Sequence, residues 1–166
     1  MPRVTSLCVL SLTTAAALVA QAHAPPRSVP EATDYAETSR AADVARFVDA
    51  CRALPHGDLL EVASAGESAE GRELLLVRIA RPATDAGPAA ERRARALVIG
   101  NIHGGEVEGK EALQELVREF ATGAHGDVLD AVELWLLTVY NVNGNKAIAV
   151  GNRRGKNETD TVGRRH

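Results

Sequence analysis

The sequence predicts an α/β domain built on a partial mixed sheet with flanking helices. Residues 59–64 and 71–80 are strand-like runs on either side of a Gly/Ser/Glu segment, the pattern of an antiparallel pair. Residues 96–100 and 132–140 are two further apolar runs with a helical pattern between them. Strand, helix and strand in that order make a crossover unit with parallel strands. The composition agrees. At 166 residues, 45% hydrophobic and 25% charged, the chain suits one small domain with a packed core. Aromatics are only 3%, so Ala, Leu and Val must build that core. A net charge of −3 gives no reason to expect nucleic acid or an anionic membrane as partner.

The elements follow in chain order. Residues 1–22 read as a signal peptide: Arg3 supplies the positive start, Val4 to Ala20 carries no charge, and Ala20-Gln-Ala22 fits the small-x-small cleavage rule. A cut after Ala24 would put Pro25 just past it, so the cut is placed after Ala22. A membrane-spanning reading is disfavoured because the run is short and contains Ser and Thr. The expected location is therefore periplasmic or secreted, with no stable membrane insertion once the signal is removed. Residues 23–37, with Pro25, Pro26 and Pro30, read as an extended linker. Residues 38–166 form the expected domain. Cys51 is its only cysteine, so no internal disulfide forms, and its place in an apolar helical pattern makes it a core residue.

Thr38 or Ser39 is expected to cap a helix running to about Leu54, with Val44, Phe47, Val48 and Cys51 on one face. Pro55-His56-Gly57 ends it, with His56 as a turn residue. After the antiparallel pair, residues 81–95 are rich in Pro, Gly, Ala and Arg and read as a surface loop. The next helix spans about 106–121, with residues 113, 116, 117 and 120 at helical spacing. His125, in Thr122-Gly-Ala-His-Gly-Asp127, reads as an exposed residue of the turn that closes it. From Asn145 the chain becomes polar and Gly-rich. A sheet of about four strands leaves an edge open, and a chain truly ending at His166 is expected to be marginally stable.

The most informative segment is Asn101-Ile-His-Gly-Gly-Glu-Val-Glu-Gly-Lys-Glu-Ala112. It places His103 and Glu106 where a strand hands over to a helix. The Gly-Gly pair between them is expected to let the backbone turn sharply. An imidazole and a carboxylate three residues apart on such an elbow can point at one spot, and zinc accepts that mixed N/O ligation. The plainer alternative makes His103 a strand-end histidine bonded to backbone. Glu106, Glu108 and Glu111 are then acids favoured by the helix macrodipole.

The context N-x-H-G-x-E-x-x-G-K-E-A resembles the zinc carboxypeptidase (M14) family, and the expected architecture resembles the N-terminal half of that fold. Ser68-Ala-Glu-Gly-Arg72 before the second strand resembles the family's opening. Asn141-Val-Asn-Gly144 resembles its Asn-Pro-Asp-Gly turn, with Val142 for the proline and Asn143 for the acid. Asn152-Arg-Arg-Gly-Lys-Asn157 resembles the segment that follows. The resemblance covers roughly residues 58–166. It implies His103 and Glu106 as two zinc ligands, zinc as cofactor and a peptide as substrate, with hydrolysis of C-terminal peptide bonds. Arg153 or Arg154 is the implied cationic substrate contact, at the place of the arginine that steadies the oxyanion. A solvated loop is the plainer reading of that basic cluster.

The resemblance also implies a third ligand, a histidine, on a later strand, and a catalytic glutamate later still. After Glu106 only His125 and His166 remain, and neither suits that place. The chain thus reads as an incomplete catalytic domain, expected to hold zinc weakly and to hydrolyse nothing by itself. The competing readings are a related zinc amidohydrolase acting on cell-wall peptides or acyl-amino acids, and a non-catalytic binding remnant.

Overall fold

A computed structural model describes residues 24–82 and 93–146. The signal segment, most of the 81–95 loop, and the basic stretch with Arg153, Arg154 and His166 lie outside the described residues. The elements are α1 (Val29–Ala32), α2 (Ala41–Arg52), β1 (Leu60–Glu67), β2 (Glu73–Ile79), β3 (Ala94–Ile99), α3 (Glu108–Thr122), β4 (Val132–Leu137) and α4 (Val142–Lys146). Short 3-10 turns at Gly57–Leu59 and Gly126–Asp130 lead into β1 and β4.

The described strands form one four-stranded sheet in the order β1-β2-β4-β3. β1 and β2 are antiparallel, with Val62 opposite Val77. β3 and β4 are parallel, with Leu97 opposite Trp135, and α3 makes the crossover between them. The antiparallel β2–β4 pair joins the two halves, with Val77 opposite Leu136. The mixed sheet is therefore as the sequence predicts.

Strand alternation sorts the side chains. Leu60, Val77, Ile79 and Leu136 pack with Val44, Phe47, Val48 and Cys51 of α2 and with Leu113, Val117 and Phe120 of α3. Cys51 is fully buried there, and burial pushes its thiol up to about 12, so it acts as a small apolar side chain. On the opposite face Arg78 bridges Glu133 (2.9 and 2.8 Å) and Glu61 (2.7 Å), while Trp135 Nε1 donates to Glu133 at 2.6 Å. Towards the β3 edge this face turns apolar, and Leu97 is 61% exposed.

Two expectations for the first helices need correction. The 23–37 stretch is not uniformly extended. Ser28 and Glu31 form a capping box around α1, and Pro30 is buried. Glu31 then takes both guanidinium nitrogens of Arg118 on α3, at 2.5 and 2.7 Å. A bidentate ion pair overrides the extended tendency of a proline-rich run. Neither Thr38 nor Ser39 caps α2. The helix begins at Ala41, the Arg40 N–H donates to Asp43 at 2.8 Å, and the Ala41 N–H donates to Asn145 Oδ1 at 2.9 Å. The hydroxyls of Thr38 and Ser39 turn instead to Glu111, whose partly buried carboxylate needs donors more than an exposed helix end does.

Acid should loosen this arrangement. Hydrogen bonds from Arg118 hold Glu31 down at about 2, and hydrogen bonds from Arg78 hold Glu133 at about 2, both from an ordinary 4.5. A carboxylate with a depressed folded-state pKa stabilises fully above its unfolded value. That stabilisation is lost as pH falls through the folded value. Each pair is expected to contribute roughly 1–3 kcal/mol after solvent screening, lost between about pH 4.5 and pH 2. Urea midpoints measured down that range should fall, and Glu31→Gln should fall less steeply. A wild-type profile that stays level across it would contradict the assignment.

Candidate metal centre

β3 ends at Ile99, and the backbone leaves the sheet through Gly100 and Asn101. The parallel pairing carries one step past the strands: Gly100 N–H donates to Leu137 O at 2.9 Å and Tyr140 N–H to Gly100 O at 3.1 Å. Asn101 then takes a left-handed backbone with φ 52°. Asn accepts that region more readily than most residues because its short polar side chain bonds locally. His103, Gly104, Gly105 and Glu106 follow as a turn closed by the Glu106 N–H donating to His103 O at 3.0 Å. The chain enters α3 only at Glu108, so Glu106 belongs to the elbow and not to the helix.

The elbow brings the two expected ligands together. His103 Nδ1 lies 2.6 Å from Glu106 Oε2, and both side chains are partly exposed. That separation needs a proton on one of the two atoms, and a metal ion takes the place of such a proton when it binds. An imidazole nitrogen and a carboxylate oxygen facing one point are donors that zinc accepts. The pair would fill two coordination positions. Among the described residues no group of three His, Cys, Asp or Glu side chains gathers around a common point. His125 sits beyond α3, more than half exposed, with Nε2 3.3 Å from Glu119, as an exposed loop residue should.

The Gly-Gly pair works differently from expectation. Among the described residues the glycines with positive φ are Gly66, Gly71 and Gly123, so the left-handed step of the elbow is made by Asn101. Gly104 is needed for close approach instead: a Cβ there would lie 2.7–2.8 Å from the backbone of Gly144. The elbow and the Asn141–Gly144 motif are thus packed backbone to backbone. Asn141 N–H donates to Asn101 O at 3.0 Å, and Asn141 Nδ2 to Ile102 O at 3.3 Å. Asn141 Oδ1 accepts the Gly144 N–H at 2.8 Å, starting the short helix α4 where the sequence suggested a turn. Asn143 Oδ1 accepts Ser68 Oγ at 3.0 Å and also bonds Arg72. An amide oxygen can therefore stand where the resembled motif has an acid, because the partners are both donors.

These three segments, 68–72, 101–106 and 141–144, are the ones whose sequence resembles the zinc carboxypeptidase family. The family model for zinc carboxypeptidases matches residues 46–164. The chain belongs to the zinc carboxypeptidase family. Comparison with curated proteins finds no match. Among solved structures, a metallo-carboxypeptidase from Burkholderia cenocepacia is 24% identical with a TM-score of 0.51, over 64% of this chain and 28% of that one. Carboxypeptidase A from Helicoverpa armigera is 17% identical with a TM-score of 0.55, over 80% of this chain and 31% of that one. The Pseudomonas aeruginosa metallo-carboxypeptidase, solved with (2-guanidinoethylmercapto)succinic acid, is 21% identical with a TM-score of 0.51, over 64% and 27%. At these identities the likeness shows a shared fold. This zinc carboxypeptidase chain spans less than a third of the length of each of those structures.

Behind the elbow lies a polar cluster that the sequence reading missed. Glu111 accepts from Thr38 Oγ1 (2.6 Å), Ser39 N (3.0 Å), Ser39 Oγ (3.0 Å), Lys110 Nζ (2.9 Å) and Gln114 Nε2 (2.6 Å). Burial alone would raise its pKa, but the bonds from Thr38 and Lys110 outweigh that and hold it below the usual carboxylate range. Lys110 is fully buried and also donates to Thr38 Oγ1. The signal was present: Lys110 and Gln114 share the helical stripe of Leu113 and Val117.

Proposed function

We propose that this chain carries part of the catalytic domain of an exported zinc carboxypeptidase, which removes residues from the C-terminal end of peptides. The observation that carries the reading is the convergence of His103 Nδ1 and Glu106 Oε2 on one point, on a turn stapled to the 141–144 segment. Family membership supports it. Zinc, when bound, supplies a Lewis acid for the scissile carbonyl and lowers the pKa of a water molecule.

The protein's own residues do the rest of the work assigned to this part of the chain. His103 and Glu106 would hold the ion through an imidazole nitrogen and a carboxylate oxygen. The turn keeps the two donors from separating. Asn141 and the Gly104–Gly144 approach hold that turn against the end of β4. Arg153 and Arg154 are proposed as the cationic contacts for substrate, beside the oxygen that becomes negative as the peptide bond is attacked. Export is supported by the signal pattern of residues 1–22. Among the described residues no helix is long and apolar enough to cross a membrane.

The test uses the native exported protein with a panel of N-blocked dipeptides ending in aromatic, aliphatic or basic residues. Release of the terminal amino acid should be abolished by a zinc chelator and restored by added zinc. Release that ignores the chelator, or no release anywhere in the panel from zinc-loaded protein, would count against a zinc carboxypeptidase.

A further inference from the structure

We infer that Asn101 is the positioning residue of the metal elbow, its side-chain amide setting where His103 and Glu106 aim. The inference rests on those two residues being the metal donors. Asn101 is 3% exposed. Its Nδ2 lies 3.0 Å from the carbonyl oxygen of His103, 2.8 Å from that of Glu106 and 3.4 Å from that of Gly104. Two of those carbonyls belong to the residues that carry the donor side chains. One amide group therefore ties both ends of the turn to the strand end that precedes it.

The orientation of this amide is decided by chemistry. A side-chain NH2 has two protons, and the two short bonds use both. Turning the amide over would set its oxygen against three carbonyl oxygens. In the orientation found, Asn101 Oδ1 is buried with no hydrogen-bond partner. An unsatisfied buried oxygen is costly, so the donor end outweighs the acceptor end here. The main chain of Asn101 is held separately, by the Asn141 N–H on its carbonyl. Its side chain is thus free to serve the turn.

A simpler reason for asparagine is the left-handed backbone alone. Two substitutions separate the explanations. Asn101→Gly accepts that backbone and lacks the amide. Asn101→Asp tolerates the backbone but points a carboxylate at three carbonyls.

The experiment titrates each chain with cobalt(II) alone, read by its visible absorption, and follows hydrogen exchange of the Glu106 amide in the metal-free chains. Both variants should bind cobalt about 10-fold more weakly, with an altered visible spectrum, as changes behind metal ligands do. The Glu106 amide should exchange roughly 10-fold faster, with the amides of Val77 and Leu136 unchanged. If the Asp variant does not fold, the Gly variant decides. An Asn101→Gly chain with wild-type affinity and spectrum overturns the assignment and leaves the metal pair standing. A wild-type chain that takes up no cobalt overturns the metal pair, and the assignment with it.

Discussion

Glu111→Ala is expected to destabilise the domain by about 3–5 kcal/mol, as loss of one member of a buried ion pair does. The reason is what it strands. Lys110 has no exposed surface, and its ammonium has Glu111 Oε1 at 2.9 Å as its charged partner. Removing the carboxylate leaves a buried cation and also takes one acceptor from the hydroxyl of Ser39 and one from the amide of Gln114, which keep their bond to each other. Thr38 and Ser39 lie just before α2, and Asn145 Oδ1 accepts from its first turn, so α2, α3 and α4 meet around this one cluster. Urea unfolding of the variant measures the loss. Lys110→Met with Glu111→Leu removes both charges together and should cost clearly less than the two single changes summed. A loss below about 1 kcal/mol for Glu111→Ala, the range of a surface pair, would show that the cluster is solvated in solution.

His103→Ala is expected to reduce zinc affinity by at least about 100-fold, since changes merely behind metal ligands cost about 10–100-fold. Glu106→Gln should do nearly as much, because an amide oxygen keeps the shape and loses the charge. Folding stability without metal should change little, since both side chains are partly exposed and their contact is local. Competition with a chromophoric chelator measures the affinity. His125→Ala is the control: it lies on the loop beyond α3, beside Glu119, and should bind as wild type. Equal losses from His103→Ala and His125→Ala would show that the chain gathers zinc non-specifically. Tight, stoichiometric zinc in the wild type would mean that a third donor completes the site.

Much of the fold was legible because hydrophobic period is a local property. The strand-like run at 71–80, the apolar run before His103 and the 113, 116, 117, 120 spacing each name their element. The order of those elements then forces an antiparallel pair and a parallel crossover. The closeness of the two candidate donors was legible for the same reason, since His103 and Glu106 lie three residues apart on a strand-to-helix elbow. The Arg118–Glu31 pair that folds back the proline-rich segment was not, because its partners are 87 residues apart. The cap of α2 was misplaced on the same ground. Thr38 and Ser39 have the right chemistry at the right offset, but a partly buried carboxylate 72 or 73 positions away competes for them.

Sequence by itself determined the mixed α/β sheet, the helix faces and the two adjacent donors, since each depends on side chains within a turn or two of one another. Tertiary structure alone decided what holds those donors in place. Glycine at 104 is required because Gly144 comes within a Cβ of it, Asn143 substitutes for an acid because Ser68 and Arg72 donate to it, and the buried Lys110 ammonium finds an acceptor in the hydroxyl of Thr38. Each of these is a demand for space or charge made by a group distant along the chain. Local propensity carries no record of such a demand until folding brings the two groups into contact.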